Sequence, residues 1–400
     1  MVREIIISIY LFFHRILFYV FNWFPVQNKI VFLVSFKDNS LYTYRELIRK
    51  KFTGEIVFLC SKKMYPVFKK SVNAPVYLIE AGKLKDEVIA SYHMATAKTI
   101  LVDNYYGFLA VMNFKKDVEV IQIWHAAGAL KNFGFIDRSV QKRTGRAQKR
   151  FISVYRNFHK VVVNSRAFAR IFELAFRIKE EQFLFFGFPR TDFFFNKKIQ
   201  AKLKKNFFKR YPELKNKKII LYAPTYRPEP EQNRLMIDIS LLYEQFKDEY
   251  VLLIRMHPTV ELATDALADY KGFAMDFSKK ATINELLVAS DILITDYSSI
   301  PFEYTLLGKP MIFYPYDLRE YQENPGIWDK YENIVPGPIA YTTEDIIDII
   351  KNNQFDRNKY EQFHRTWNEF SDGRSSEKLA SYILMRHGLE QDKQEVKERY

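Results

Sequence analysis

"DILITDYSSIPFEYTLLGKPMIFYPYD", residues 291–317, holds two short apolar runs with a helical stretch between them. DILITDYSS (291–299) runs aliphatic residues into Asp296, Ser298 and Ser299. Pro301 opens PFEYTLLG (301–308), the position where a helix loses nothing by a missing N–H. PMIFYPYD (310–317) is the second run. Strand, helix, strand, with both strands apolar throughout, predicts a parallel sheet covered on both faces. Asp296, Ser298 and Ser299 then lie beyond a strand's carboxyl end, where an anionic or hydroxyl-rich ligand would use them.

The same alternation extends both ways. KIVFLVSF (29–36), EIVFLC (55–60), VYLIE (76–80), TILVDN (99–104), VEVIQIWH (118–125), KVVVNS (160–165) and FLFFGFPRTD (183–192) read as one series of strands. A Phe- and Lys-rich connector, 193–217, follows. KKIILYAPTYR (217–227), YVLLIRMHP (250–258), FAMDFS (273–278) and the opening pair form a second series, with TINELLVAS (282–290) as a helix among them. The expectation is an α/β chain of two Rossmann-like domains facing a cleft, 25–195 and 196–372. A helix at 1–24 precedes them, and a C-terminal helical segment, 373–400, packs back on the first domain. In such sheets ligands gather outside the carboxyl ends of the strands.

Those ends carry the chemistry. His125 closes one strand and is followed by Ala-Ala-Gly, which admits close backbone approach, and by Lys131. Thr225 and Arg227 close another, and Arg255 and His257 a third, with Pro258 as the stop. Ser298 and Ser299, with the N–H groups of a helix start, suit a diphosphate. Glu303 suits ribose hydroxyls, and Arg227 and Arg255 suit phosphate charge. Singly, each has an ordinary structural use, such as a serine N-cap. Their convergence on strand ends points to one functional site.

Composition narrows the class. Hydrophobic content of 48% with 16% aromatics excludes a disordered or fibrous chain. The single cysteine, Cys60, allows no disulfide framework and reads as a packed strand residue in a reducing compartment. The net charge of +14 calls for an anionic partner, and it is concentrated: Arg138–Lys160 holds eight Lys or Arg and no acid. REIIISIYLFFHRILFYVFNWF (3–24) is strongly apolar but interrupted by His14 and Arg15, and it lacks a small-residue cleavage site. It predicts an amphipathic helix lying in the membrane interface, with Tyr10, Tyr19 and Trp23 at headgroup level; a signal anchor is the alternative. The basic run lacks the interleaved aromatics of single-strand RNA readers, so no nucleic-acid partner is expected.

WHAAGALKNFG (124–134), APTYR (223–227), RMHP (255–258), DYSSIPFEYTLLGKPMIFYPYDLREY (296–321) and DGRSSEKL (372–379) together resemble the CDP-glycerol glycerophosphotransferases of wall teichoic acid synthesis. The resemblance covers roughly residues 90–380. It implies a GT-B-like fold with CDP-glycerol in the C-terminal domain and a polyprenyl-diphosphate-linked disaccharide as acceptor, at the cytoplasmic face of the cell membrane. HAAGA after the tryptophan resembles the glycerol-phosphate primases, and the longer polymerases carry an extra N-terminal region. A short transferase that extends a primed acceptor is the near alternative. An ordinary GT-B glycosyltransferase using a nucleotide sugar is the more distant one.

What the resemblance implies for mechanism is direct phosphoryl transfer to an acceptor hydroxyl, with CMP leaving. His125 would be the general base. His257, Arg227, Arg255, Thr225, Ser298 and Ser299 would hold the donor diphosphate and stabilise its charge. Asp296 would either orient His257 or meet the donor. Lys131, Lys142, Arg143 and Arg146 are assigned to the acceptor or its lipid diphosphate, and the basic run to an anionic membrane surface. No residue spacing demands a metal or other cofactor; a loosely held Mg²⁺ is compatible with the same groups.

Overall fold

The structure is a computed structural model that describes residues 2–79, 83–227, 235–257, 260, 262 and 266–389. Glu80, Pro258 and residues 390–400, which figure in the readings above, lie outside the described residues. The chain divides into two compact units. Unit 1 comprises Met1–Ala126, Phe133–Asp192 and Glu369–Tyr400, and unit 2 comprises Ala127–Asn132 and Phe193–Asn368.

Unit 1 is built on seven strands: β1 (Gln27–Val34), β2 (Glu55–Cys60), β3 (Val76–Leu78), β4 (Ala97–Val102), β5 (Glu119–Gln122), β6 (Lys160–Val162) and β7 (Phe183–Leu184). They pair in the order β3-β2-β1-β4-β5-β6-β7, every pair parallel. Ile30 through Val34 have no exposed surface, which is why β1 shows no polar alternation. Cys60 ends β2 fully buried as a free thiol, and burial pushes its pKa up to about 12.

Unit 2 has five strands: β8 (Lys218–Tyr222), β9 (Tyr250–Ile254), β10 (Ala274–Asp276), β11 (Ile292–Thr295) and β12 (Met311–Phe313). Their order is β10-β9-β8-β11-β12, again all parallel. Ile220, Leu252, Ile254, Ile294 and Ile312 pack with Leu242, Phe246 and Ile346 in one core. In both sheets the strand order reverses beside the first strand, so the switch points are β1/β4 and β8/β11. A crevice for a ligand opens at such points.

Three segments differ from expectation. The connector 193–217 contains a helix, Lys197–Arg210, capped by Asn196, whose side chain accepts the Ile199 N–H at 3.0 Å. Residues Ala127–Asn132 pack with unit 2, although the sequence around them belongs to unit 1. Lys131 bridges Ile327 antiparallel, the Asn132 N–H donates to the Gly326 carbonyl at 3.0 Å, and Trp328 Nε1 donates to the Ala129 carbonyl at 2.8 Å. A Cβ at Gly128 would meet the Phe302 ring at 2.4 Å, so only glycine fits. The helix read at 301–308 is α-helical only over Ile300–Tyr304 and continues as a 3-10 turn, Thr305–Leu307.

The N-terminal helix, Val2–Phe21, docks one face on unit 1. His14 is fully buried, stacks with Phe108 at 5.3 Å and meets the Glu87 carboxylate; Phe18 packs edge-on to Phe114 at 5.2 Å. By length and composition alone, Arg3–Phe21 could cross a membrane. At the C-terminal end, helix Ser375–Arg386 belongs to unit 1, where Asp192 accepts the N–H groups of Ser375 and Ser376 at 2.9 and 2.8 Å.

Candidate functional site

At the unit 2 switch point, Asp296 is the first residue after β11, and Thr225 and Arg227 follow β8. Asp296 Oδ1 accepts the Thr225 N–H (2.8 Å), the Thr225 hydroxyl (2.6 Å) and its neighbour's N–H at Tyr297 (2.7 Å). Oδ2 accepts Arg227 Nη2 at 2.9 Å. Arg227 also donates to Asp317 from Nε (2.7 Å) and Nη2 (3.0 Å), and to the Thr225 carbonyl from Nη1 (2.6 Å). The rings of Tyr297, Tyr316 and Tyr321 flank its guanidinium at 5.2, 5.3 and 4.9 Å. Burial works against that charge, but Asp317 and Asp296 outweigh it and hold the guanidinium firmly protonated.

This arrangement bears on two expectations. Arg227 is 2% exposed and engaged by two carboxylates, the geometry of a strut within the site. Asp296 is 1% exposed, and its two oxygens accept from Thr225, Tyr297 and Arg227. Asp317, which sequence reasoning passed over, closes the strut.

Ser298 and Ser299 are half-buried at the start of helix Ile300–Tyr304. Ser298 Oγ accepts the Ile300 N–H at 3.2 Å, and the Ser299 carbonyl accepts the Phe302 N–H at 3.3 Å. Glu303 is 3% exposed, so the carboxylate expected to face a ribose lies below the surface. Arg255 is half-buried; its Nη1 donates to the Ala281 carbonyl at 2.8 Å, and burial lowers its pKa. His257 is exposed, its ring 4.9 Å from that of Tyr226, also exposed.

In unit 1, His125 lies just beyond β5. Its Nδ1 is 2.9 Å from the Asp103 carbonyl oxygen. A carbonyl can only accept, so Nδ1 carries a proton, and in the neutral ring Nε2 is the nitrogen with the lone pair. Phe36 stacks on the ring at 4.1 Å and 12°, and Trp124 at 4.4 Å and 28°. Trp124 adopts φ 51°, a left-handed conformation that costs a bulky residue roughly 1–3 kcal/mol. The surroundings hold it there. Its N–H donates to Gln122 Oε1 (2.9 Å), Asn39 Nδ2 donates to the carbonyls of Ile123 (2.8 Å) and Trp124 (2.9 Å), and Arg190 Nη1 donates to the His125 carbonyl (2.5 Å). Asn39 Oδ1 in turn accepts the Arg190 N–H at 2.9 Å.

Asn39, Asp103 and Arg190 were not anticipated. One signal was available for Asp103: TILVDN (99–104) and ILITDY (292–297) are the same aliphatic run ending in aspartate.

The basic run forms two helices, Arg138–Gln141 and Gly145–Arg156, the second capped by Thr144. Lys142, Arg143 and Arg146 are exposed around their junction, with Arg143 over the Phe151 ring at 5.2 Å, and Lys131 is exposed in the unit 2 segment. Arg150 reaches the N-terminal helix, donating to both Glu4 oxygens at 2.7 and 3.1 Å. Among the described residues, no group of three His, Cys, Asp or Glu side chains is placed to hold a metal ion.

A sequence model of the CDP-glycerol:poly(glycerophosphate) glycerophosphotransferases matches residues 16–385. The chain belongs to that family. This glycerophosphotransferase is a transferase of teichoic acid biosynthesis that uses CDP-glycerol. It is similar to the teichoic acid glycerol-phosphate primase of Bacillus subtilis (strain 168), with 35% identity over 96% of this chain and 98% of that protein. It is also similar to the teichoic acid poly(glycerol phosphate) polymerase of Bacillus spizizenii, with 28% identity over 96% of this chain and 98% of that one. That second match overturns chain length as a criterion between the two branches. Among solved structures, the wall teichoic acid polymerase TagF superposes with a TM-score of 0.76 at 22% identity, covering 97% of this glycerophosphotransferase and 98% of that chain. The fold is therefore GT-B-like, α/β with parallel sheets. A variant of TagF soaked with CDPG also superposes, with a TM-score of 0.73 at 25% identity over 90% of this chain and 89% of that one.

Proposed function

We propose that this glycerophosphotransferase is a glycerol-phosphate primase, moving glycerol phosphate from CDP-glycerol to the ManNAc of a polyprenyl-diphosphate-linked disaccharide. The observation that carries the reading is the match to the B. subtilis primase, 35% identity over nearly both full lengths, against 28% for the polymerase of equal coverage. In the reaction, the acceptor hydroxyl oxygen attacks the β-phosphorus of CDP-glycerol. The bond from that phosphorus to the bridging oxygen breaks, and CMP departs with the electron pair. The acceptor proton passes to His125 Nε2, the nitrogen left with its lone pair. Ser298, Ser299, Arg255 and His257, at the strand ends of unit 2, hold the diphosphate and balance the charge on CMP. Thr225, held by the Asp296–Arg227 strut, completes the donor pocket, with the buried Glu303 beneath the Ser298–Ser299 helix start.

With a lipid-linked acceptor, we assign the work to the cytoplasmic face of the cell membrane. Ile9 (65% exposed), Phe12 (64%) and Tyr19 (65%) form an apolar stripe on the undocked side of the N-terminal helix, and Trp23 (78%) is exposed in the turn that follows it. Such a stripe suits burial in a lipid interface. Lys142 and Arg143, between the two helices of the basic run, and Arg146, on the helix that Arg150 ties to the N-terminal helix, suit anionic headgroups or the lipid diphosphate.

The deciding experiment supplies CDP-glycerol and a synthetic lipid-linked disaccharide, and reads the product by mass spectrometry. One added glycerol phosphate is expected. Turnover only on an acceptor that already carries glycerol phosphate would instead assign an extending transferase, the reading that the polymerase match favours.

A further inference from the structure

At the switch point of unit 1, one buried residue bears on the same imidazole twice, directly by its backbone carbonyl and through Phe36 by its carboxylate. Asp103 follows β4 and is 1% exposed. Its carboxylate spans to the end of β1: Oδ1 and Oδ2 accept the Ser35 N–H at 3.0 and 2.9 Å, and Oδ2 accepts the Phe36 N–H at 2.8 Å. The Tyr106 hydroxyl closes the group, 3.0 Å from Oδ1 and 2.9 Å from Ser35 Oγ. From this one residue, the backbone carbonyl receives His125 Nδ1–H, and the carboxylate fastens the backbone of Phe36, whose ring lies 4.1 Å from the His125 ring.

We propose that Asp103 is the positioning residue for His125, selecting its Nδ1–H tautomer and, through Phe36, the plane of its ring. This rests on the reading of His125 as the proton acceptor. A carboxylate removed from water is costly unless its oxygens are satisfied, and a purely structural link between two parallel strands needs none. Here the link consists of N–H groups converging on both oxygens, and its two free ends, a carbonyl and a phenyl ring, terminate on one histidine. Unit 2 provides the comparison: Asp296 makes the corresponding reach to Thr225, but Arg227 and Asp317 continue that network within unit 2. The unit 1 version reaches His125.

Asparagine at 103 keeps the shape but replaces one accepting oxygen with an NH₂ group that opposes the Ser35 or Phe36 N–H. The test uses the full chain with ¹⁵N-labelled histidine, its His125 resonances assigned by loss in a His125→Asn variant, together with steady-state CMP release. The parent is expected to show His125 as the Nδ1–H tautomer. Asp103→Asn keeps the backbone carbonyl but loosens the clamp that sets its position, and is therefore expected to mix the tautomers and to lower kcat about 10- to 100-fold, the range for partners that orient metal-bound histidines. KM for CDP-glycerol should stay within about twofold, as for a group that acts only in the chemical step. Phe36→Leu should lower kcat with the tautomer retained. A folded Asp103→Asn with unchanged tautomer and kcat overturns the proposal. So does Nε2–H in the parent, a readout that holds even where the variant fails to fold. Mixed tautomers in Asp103→Asn beside full activity in His125→Asn would uphold the positioning and remove instead the assignment of His125 as base.

Discussion

Asp103 and Asp296 occupy the same station in two sheets, each the first residue after the strand that flanks the switch point, each accepting an N–H from beyond the first strand. Asp103 takes Ser35 N–H at 2.9 Å, and Asp296 takes Thr225 N–H at 2.8 Å. The halves differ in how the charge is met. Arg227 pairs with Asp296, whereas Asp103 is held by backbone N–H groups and a tyrosine hydroxyl. One half thus carries a rigid ion-paired strut and the other a polar clamp under a histidine.

His125→Ala should lower kcat by at least about 100-fold, the lower range for a lost general base. KM for CDP-glycerol should change little, because the donor groups belong to unit 2. Near-parental CMP release would make His125 a structural residue.

Arg227→Ala should act on stability before it acts on donor affinity. It strands two carboxylates, one of them 1% exposed, and breaking a buried pair costs roughly 3–5 kcal/mol. Urea unfolding measures this. A fully stable variant with weakened donor binding would return Arg227 to the role of a phosphate contact.

Ser298→Ala combined with Ser299→Ala should weaken CDP-glycerol binding, each lost hydrogen bond to a charged phosphate contributing roughly 1.5–3 kcal/mol. Titration calorimetry on the folded double variant reads it directly, and parental affinity would place the diphosphate elsewhere.

Stability should carry a pH signature of Asp103. Burial pushes its carboxyl up to about 7, against hydrogen bonds from Phe36, Ser35 and Tyr106 that pull it down. The folded chain then keeps a proton that the unfolded chain releases near pH 4, so this group's contribution is fully present below that point and is lost as pH rises toward about 7. Denaturant titrations across that window should show the parent losing stability relative to Asp103→Asn as pH rises. A constant difference would mean that the carboxyl titrates at its ordinary value.

Membrane attachment is best tested on the exposed side of the N-terminal helix. Deleting it would also strip the buried His14 and Phe18 from unit 1. Replacing Ile9, Phe12 and Tyr19 with serine leaves that docked face whole. Flotation with anionic liposomes should fall sharply, while turnover on a short-chain soluble acceptor persists. Unchanged flotation would locate the contact on another surface.

Much of this protein was legible from local pattern. Continuous aliphatic runs such as IVFLV (30–34) and ILIT (292–295) mark strands buried on both faces, because the sheet leaves them no wet side. Their polar ends marked His125, Thr225, Arg255 and Asp296 as residues of the strand-end loops, since chain connectivity alone puts them there. What those side chains face was not legible. Arg227 and Asp296 read as ligand groups until Asp317, ninety positions from Arg227, supplied the second carboxylate. Asn39, Asp103 and Arg190 surround His125 from three separate segments, and no spacing in the chain foretells that convergence. The same holds for Ala127–Asn132, whose packing with unit 2 depends on Gly326, Trp328 and the space that Phe302 leaves at Gly128. Secondary structure follows from neighbours within a few residues; whether a charge is free for a substrate depends on partners that only the folded chain brings near.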